Sequence, residues 1–435
     1  MSLKEMRADP LGFLQRTFAD FGDFTRHHTE ESEVFLVNRP ELARSVLRER
    51  RRQFIKAGTP DERMLTPLLG RGLLTSDGDV WKRQRRLAQP AFERHHIENL
   101  DELMSAATLD LLRRWEPAIA DGRALRVDHD LTGLALGIVA RALLGADMSG
   151  IGPKFGEAVD TVNRFMGHYE PLEDSSSGAA ARAEFARALS FLDRIVRLLI
   201  DGRRAGGQDR DDLLGRLLTA GGQGPDGEPP FTARELRDQV LTMLMAGHET
   251  TAKTLTWTLY LLDAHRDVAE RLRREVRSVL GERLPTAAEL PQLDLCRRVI
   301  QEAMRLYPPV WLMSRLCVLD TELGGYAIPA GALVCVSPYM LHRHPGHWER
   351  PERFEPERFT DQAAQARHPF SYLPFSEGPR KCIGHAFAMT EAQIALAMIV
   401  RRADLRLVPG HPVEPEALVT LRPREGMLMT LSPAA

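Results

Sequence analysis

The sequence predicts a mainly α fold with a minor β part, and three observations carry that expectation. Residues 97–118, 127–145, 180–203 and 232–262 repeat apolar side chains at helical spacing. Fifteen of the 28 prolines fall in residues 308–435, less than a third of the chain, so long helices belong mainly before Pro308. Strand-like runs are few and short: residues 33–38, residues 332–338, and a hairpin over 324–334 whose glycines surround an apolar alternation. No repeat or linker divides the 435 residues, and the loops at 172–178 and 221–230 are too short to separate domains. The expectation is one domain over 1–435, α-rich over roughly 80–310 and loop- and β-rich over roughly 311–435.

Composition narrows the function classes. A compact chain of 48.9 kDa hides roughly three-quarters of its extended surface, enough to enclose a ligand pocket. With 43% hydrophobic and 27% charged residues, the composition is that of a globular protein and argues against disorder. Lys and Arg total 58 against 60 Asp and Glu, a net charge of -2, which gives no global field for nucleic acid or an anionic membrane. The cysteines, Cys296, Cys317, Cys335 and Cys382, form no C-x-x-C pair, which excludes a disulfide scaffold and a structural zinc site. The first residues hold no apolar run long enough for a signal peptide or membrane anchor. A cytoplasmic enzyme is the expectation.

The longest predicted helix begins with a capping box, Thr232 with Glu235, and runs to about Asp263. His248, Glu249 and Lys253 in its middle disfavour a membrane span and favour a helix crossing the protein core. Gly247 costs about 1 kcal/mol relative to alanine there. Thr250 has the spacing to bond back to the carbonyl of Ala246 and bend the helix. Two readings follow: a groove that admits a small molecule and a water, or a small-residue patch for helix packing.

The second informative segment surrounds Cys382. It lies between a loop holding Gly378 and Pro379 and a helix marked by Ile383, Phe387, Ile394 and Met398. A thiol at a helix start feels the positive end of the dipole, which favours thiolate. Gly384 leaves room for a flat, bulky group, and Arg380 supplies a cation. Such a thiolate is a nucleophile or a metal ligand, and no sequence feature designates the base a nucleophile needs. Cys317 and Cys335 read as buried structural thiols.

Phe375, Gly378, Arg380, Cys382 and Gly384 fill every position of the pattern F-x-x-G-x-R-x-C-x-G. The segment resembles the heme-binding loop of the cytochromes P450, the heme-thiolate monooxygenases. That resemblance implies the P450 fold, a long central helix over a buried heme b, with Cys382 as thiolate ligand to iron. Ala246, Gly247, Glu249 and Thr250 resemble the family's oxygen-activation motif, which implies proton delivery by Glu249 and Thr250, with His248 at the variable position. Trp81 and Arg85 match W-x-x-x-R and, with Arg315 and Arg380, are implied to contact the propionates. Glu302, Arg305 and Arg358 match the E-x-x-R helix and P-E-R-F loop, a structural triad in which Glu302 and Arg305 alone would read as a surface pair.

The resemblance further implies that electrons arrive from a separate ferredoxin or flavodoxin-type donor with its reductase, since the chain has no flavin or iron–sulfur segment. Lys82, Arg83 and Arg86 are either a docking face for an acidic donor or a solvated helix face. By family position the substrate pocket draws on Met64, Leu65, Leu68, Met243, Val310, Trp311, Met313, Val419 and Thr420, with the loop around 64–68 in its wall and a lid over 165–185. These mostly apolar residues imply oxygen insertion into a hydrophobic small molecule, a terpenoid, fatty acid, steroid or polyketide, with O2 as co-substrate. The alternatives are a heme-thiolate isomerase or lyase, which turns over without reductant, and a heme-based redox or gas sensor, which has no use for Glu249 and Thr250.

Overall fold

The structure, a computed structural model, describes residues 3–29, 32–148, 150–167, 176–206, 212–219 and 229–434. Its axis is the helix Ala233–Ala264, 32 residues and about 48 Å long. It starts on the capping box. Thr232 Oγ1 accepts the Glu235 N–H at 3.2 Å, and the Glu235 carboxylate accepts the Thr232 N–H at 2.8 Å. Helices Val127–Leu144, Ser176–Gly206, Asp294–Leu306 and His385–Arg402 pack around this central helix, which is why it is apolar on nearly all sides. Gly247 faces the helix Val127–Leu144 at close range: a Cβ there would stand 2.9 Å from Val139 Cγ2. Helix packing by itself therefore calls for glycine at this position.

The other helical stretches of the sequence form Asp101–Asp121, Val127–Leu144 and Ser176–Gly206. Residues 172–175 and 221–228 of the two expected loops lie outside the described residues, while Ser176 to Gly178 already belong to a helix. The expected lid segment is likewise described only in part. Its two ends meet where the rings of Phe165 and Phe185 stack at 4.1 Å.

The β part is split among small sheets. The largest has five strands in the order Phe24–His28, Glu33–Val37, Leu333–Val336, Met313–Cys317, Phe54–Ile55. Only the pairing of Glu33–Val37 with Leu333–Val336 is parallel. The hairpin expected over 324–334 lies earlier, Thr321–Leu323 paired with Tyr326–Ile328. Gly324 and Gly325 both take positive φ, 62° and 88°, and form its turn. Leu333–Val336 instead pairs with Met313–Cys317 in the large sheet.

The segment between these strands and the cysteine loop is fastened by one buried arginine. Glu302 and Arg305, both on Asp294–Leu306, are fully buried and joined at 2.7 and 2.8 Å, not the surface pair that i,i+3 spacing alone suggests. The remaining Arg305 donors reach the carbonyls of His342 at 2.9 Å, Pro351 at 2.6 Å and Arg353 at 2.9 Å. Glu302 also accepts the Glu355 N–H at 2.8 Å and faces Arg358 Nε at 3.4 Å. One ion pair with saturated hydrogen bonding thus holds residues 342–358 against the helix.

Candidate functional site

Cys382 lies on a tight loop before the helix His385–Arg402. Its N–H donates to the Phe375 carbonyl at 2.9 Å, and the Lys381 N–H to that of Gly378 at 3.1 Å. Gly378 has φ of 79°, and a Cβ there would fall 2.3 Å from the Leu47 carbonyl oxygen, so no other residue fits. Gly384 is different. Its φ is −91°, and a Cβ would meet only the Phe92 ring at 3.6 Å. Neither conformation nor neighbouring protein atoms call for glycine at 384, so the reason for it lies outside the chain.

The thiol is exposed, the only one of the four cysteines that is. Yet burial of the surrounding loop pushes its pKa up, against the opposing pull of the Gly384 N–H, Arg85 and Lys381. The sulfur is accessible, yet the protein around it desolvates it. The helix terminus does not by itself produce the thiolate the sequence suggested. A metal ion on the sulfur is what would remove the proton.

Beside the loop is a group of enclosed cations. Arg315 is buried and, among the described residues, donates only to the Ser314 carbonyl, at 2.7 Å; burial and the nearby Arg380 push its pKa down to about 10. Lys56, absent from the sequence expectations, is pushed down to about 8 by burial and by Arg315, and its ammonium takes no hydrogen bond among the described residues. Arg380 donates to Asp77 at 2.7 Å and to the Ser76 carbonyl at 2.8 Å, and lies 4.6 Å from the Trp81 ring centroid. Arg85 donates to the Lys381 carbonyl at 2.9 Å, tying the helix Gly78–Ala88 to the cysteine loop. A buried guanidinium and a half-buried ammonium with unused donors favour an anionic guest.

Asp77 organises this cluster. It caps Gly78–Ala88, and its carboxylate accepts the N–H groups of Lys56 and Ala57 at 2.8 and 3.0 Å. Burial raises its pKa, but Arg380 and the backbone donors outweigh that and hold it at about 2. Helix-cap spacing before Trp81 was the available sequence signal; the partners on distant segments were not. On the same helix, Arg83 is not an open surface cation. It donates to the Pro229 carbonyl at 2.6 Å and lies 4.5 Å from the Phe231 ring centroid, while Lys82 pairs with Asp79.

On the central helix Ala246 is exposed between buried Met245 and half-buried Gly247, opening one side of an otherwise enclosed element. Thr250 Oγ1 donates back to the Ala246 carbonyl at 2.9 Å, as its spacing predicts. Glu249 does not turn toward it. Asn163 Nδ2 donates to Glu249 Oε2 at 2.8 Å, and Thr420 Oγ1 donates to Oε1 at 2.7 Å, all three buried.

The expected pocket residues separate into two groups. Residues 64–68 are helical, within Pro60–Leu69, because Thr59 caps that helix and Pro60 opens it. Leu65, Leu68 and Met243 pack into the core, whereas Val310 is exposed and Met64 and Val419 are half-buried. Trp311 donates its indole N–H to the Leu418 carbonyl at 2.8 Å, which leaves it bracing the 418–420 segment. Met313 is on the strand beside Arg315, and Thr420 is committed to Glu249.

An exposed thiol in a rigid loop, space at Gly384, an opened central helix and enclosed cations fit a flat, dianionic, metal-bearing group. Heme b has these properties, with an iron for the sulfur and two propionates for the cations. The site and the mainly helical fold define a heme-binding redox enzyme.

The chain belongs to the cytochrome P450 family, whose description matches residues 1–430. It is 36% identical to cyclooctatin synthase of Streptomyces melanosporofaciens over 427 residues, covering 96% of this chain and 90% of that protein. It is also 36% identical to cyclooctat-9-en-7-ol 5-monooxygenase of the same organism, over 92% of this chain and 86% of that one. Pentalenene oxygenase of Streptomyces avermitilis is 34% identical, with 96% and 91% covered. The crystal structure of cytochrome P450DA heme domain superposes with a TM-score of 0.88 at 28% identity, over 98% of this chain and 93% of that one. The protein is a cytochrome P450 monooxygenase with heme b as cofactor, using dioxygen, a redox partner and a hydrophobic substrate. Among the described residues no helix is long and apolar enough to cross a membrane.

Proposed function

We propose that this monooxygenase oxidises a cyclic terpenoid of secondary metabolism, the whole chain acting as one P450 domain. The balanced reaction is R–H + O2 + 2 e− + 2 H+ → R–OH + H2O, or the corresponding epoxidation of C=C. The observation that carries the reading is Cys382, an exposed sulfur presented by a loop that Gly378 and Phe375 fix in place. In this reading Cys382 would ligate the iron, with the Gly384 N–H supporting its sulfur, and Arg315, Arg380, Lys56, Trp81 and Arg85 would hold the propionates. Bound there, heme b supplies dioxygen reduction and oxygen-atom transfer, with a thiolate ligand that favours O–O cleavage.

The chain's own groups handle the two protons. Thr250 gives its hydrogen to the Ala246 carbonyl, which leaves its oxygen as an acceptor on the opened side of the helix. Glu249 supplies the ionisable group nearest to it in the chain. Electrons come from a ferredoxin or flavodoxin-type donor with its reductase in the cytoplasm. Lys82 and Arg86 are exposed on the helix that Arg85 ties to the cysteine loop, so an acidic donor meets cations close to the sulfur.

The terpenoid class rests on the names of the Streptomyces relatives and on the apolar Met64, Val310 and Val419. Its test is a titration of the ferric holoenzyme, followed at the Soret band, with pentalenene, a long-chain fatty acid, a steroid and a polyketide macrolactone. The terpene is expected to give the blue shift of iron-water displacement at the lowest concentration. A stronger response to any other class contradicts it.

A further inference from the structure

We propose that Thr420 is a proton relay onto Glu249 and that Asn163 is the positioning residue for that carboxylate. This rests on the reading of Glu249 and Thr250 as the proton-delivery pair. Both oxygens of Glu249 are already engaged, and neither by the central helix. One takes the Asn163 amide at 2.8 Å, the other the Thr420 hydroxyl at 2.7 Å. The carboxylate therefore faces the helix Gly152–Gly167 and the segment 418–420, and a proton reaching it from solvent arrives from that side.

The two donors differ chemically. A hydroxyl accepts one proton while releasing another; an amide N–H2 donates but its nitrogen does not accept. In the relay, hydronium outside Thr420 gives a proton to Oγ1 as the hydroxyl's own proton passes to Glu249 Oε1. Water is released, the carboxylate becomes the acid, and no electron moves. Asn163 meanwhile holds Oε2 and fixes the orientation.

The fold grips both donors. A Cβ at Gly167 would lie 2.7 Å from Leu418 Cβ, so the helix carrying Asn163 rests directly on the segment carrying Thr420. From the other side Trp311 holds the Leu418 carbonyl at 2.8 Å. One step outward along the same two elements, Asp160 and Arg422 face each other at 3.6 Å, with Asp160 partly exposed, which marks the way to solvent. His248 does not serve as the alternative donor. Its Nδ1 lies 2.6 Å from the Leu244 carbonyl, its Nε2 meets no partner among the described residues, and burial lowers its pKa.

The test uses substrate-free holoenzyme with a [2Fe–2S] ferredoxin, its NADPH-dependent reductase and oxygen, comparing E249Q, T420V, T420S and N163L at matched heme content. T420V is expected to slow NADPH oxidation about tenfold, at the low end of general acid–base contributions. It should change the solvent isotope effect as E249Q does, and the double variant should be no slower than E249Q alone. T420S should return the rate to within about twofold of the parent, since serine keeps the relaying hydroxyl. N163L should raise the peroxide formed per NADPH while keeping the solvent isotope effect. Independently of turnover, Tm changes for T420V and E249Q should be non-additive, as for groups in contact. T420V behaving as the parent while E249Q slows, or additive Tm changes, would overturn the relay and leave Glu249 its role. A silent E249Q would remove that role and the relay with it.

Discussion

Asp77 ties together three pieces of chain: the start of Gly78–Ala88, the Lys56–Ala57 backbone and Arg380 of the cysteine loop. Because its folded pKa is held at about 2, below the ordinary value of about 3.9, its stabilising contribution is complete above pH ~4. It fades as pH falls toward 2. Its half-exposed setting reduces the effect to about 1 kcal/mol. Asp77→Asn should therefore lower stability at pH 7 by about that amount and flatten the loss of stability between about pH 4 and 2, as measured by urea unfolding at several pH values. An unchanged acid limb would mean the carboxylate does not carry these contacts. Residues of this kind were hardest to read in advance. Asp77 and Asn163 meet their partners across long stretches of chain, and nothing in their own segments records the meeting.

At the scale of elements, Gly247 decides how closely two helices approach. Alanine there would gain about 1 kcal/mol of helix propensity, but its Cβ would stand 2.9 Å from Val139 Cγ2. Overpacking of this kind costs about 1–3 kcal/mol. Gly247→Ala should lower Tm, and adding Val139→Ala should make the double variant more stable than the sum of the singles. Additive losses would show that glycine is needed there for another reason. The central helix was legible because its signals are local: a capping box at one end and apolar runs on both flanks of a polar centre. The helix Pro60–Leu69 has a comparable start signal in Thr59, Pro60 and Glu62, but its 10 residues are too few for apolar periodicity to mark it in the sequence. The hairpin position turned on which glycines join paired strands: Gly324, Gly325 and Gly331 all take positive φ, but only Gly324 and Gly325 lie between Thr321–Leu323 and Tyr326–Ile328.

Over the whole molecule, the family and its chemistry were legible because they reside in contiguous motifs around Cys382 and Glu249. What stayed hidden is assembled from afar. Asn163 and Thr420 stand 86 and 171 residues from the carboxylate they hold. Arg305 likewise fastens carbonyls at 342, 351 and 353 that no spacing rule connects. The central claim is that this fold presents the Cys382 sulfur to heme iron. It is tested most directly by the absorption spectrum of the reduced holoprotein under carbon monoxide, beside that of Cys382→Ala and Cys382→His. The natural chain should give the strongly red-shifted Soret band of thiolate ligation, Cys382→Ala should lose it, and Cys382→His should move it to the imidazole position. An imidazole-type band in the natural chain, or a red-shifted band that survives Cys382→Ala, would contradict the claim.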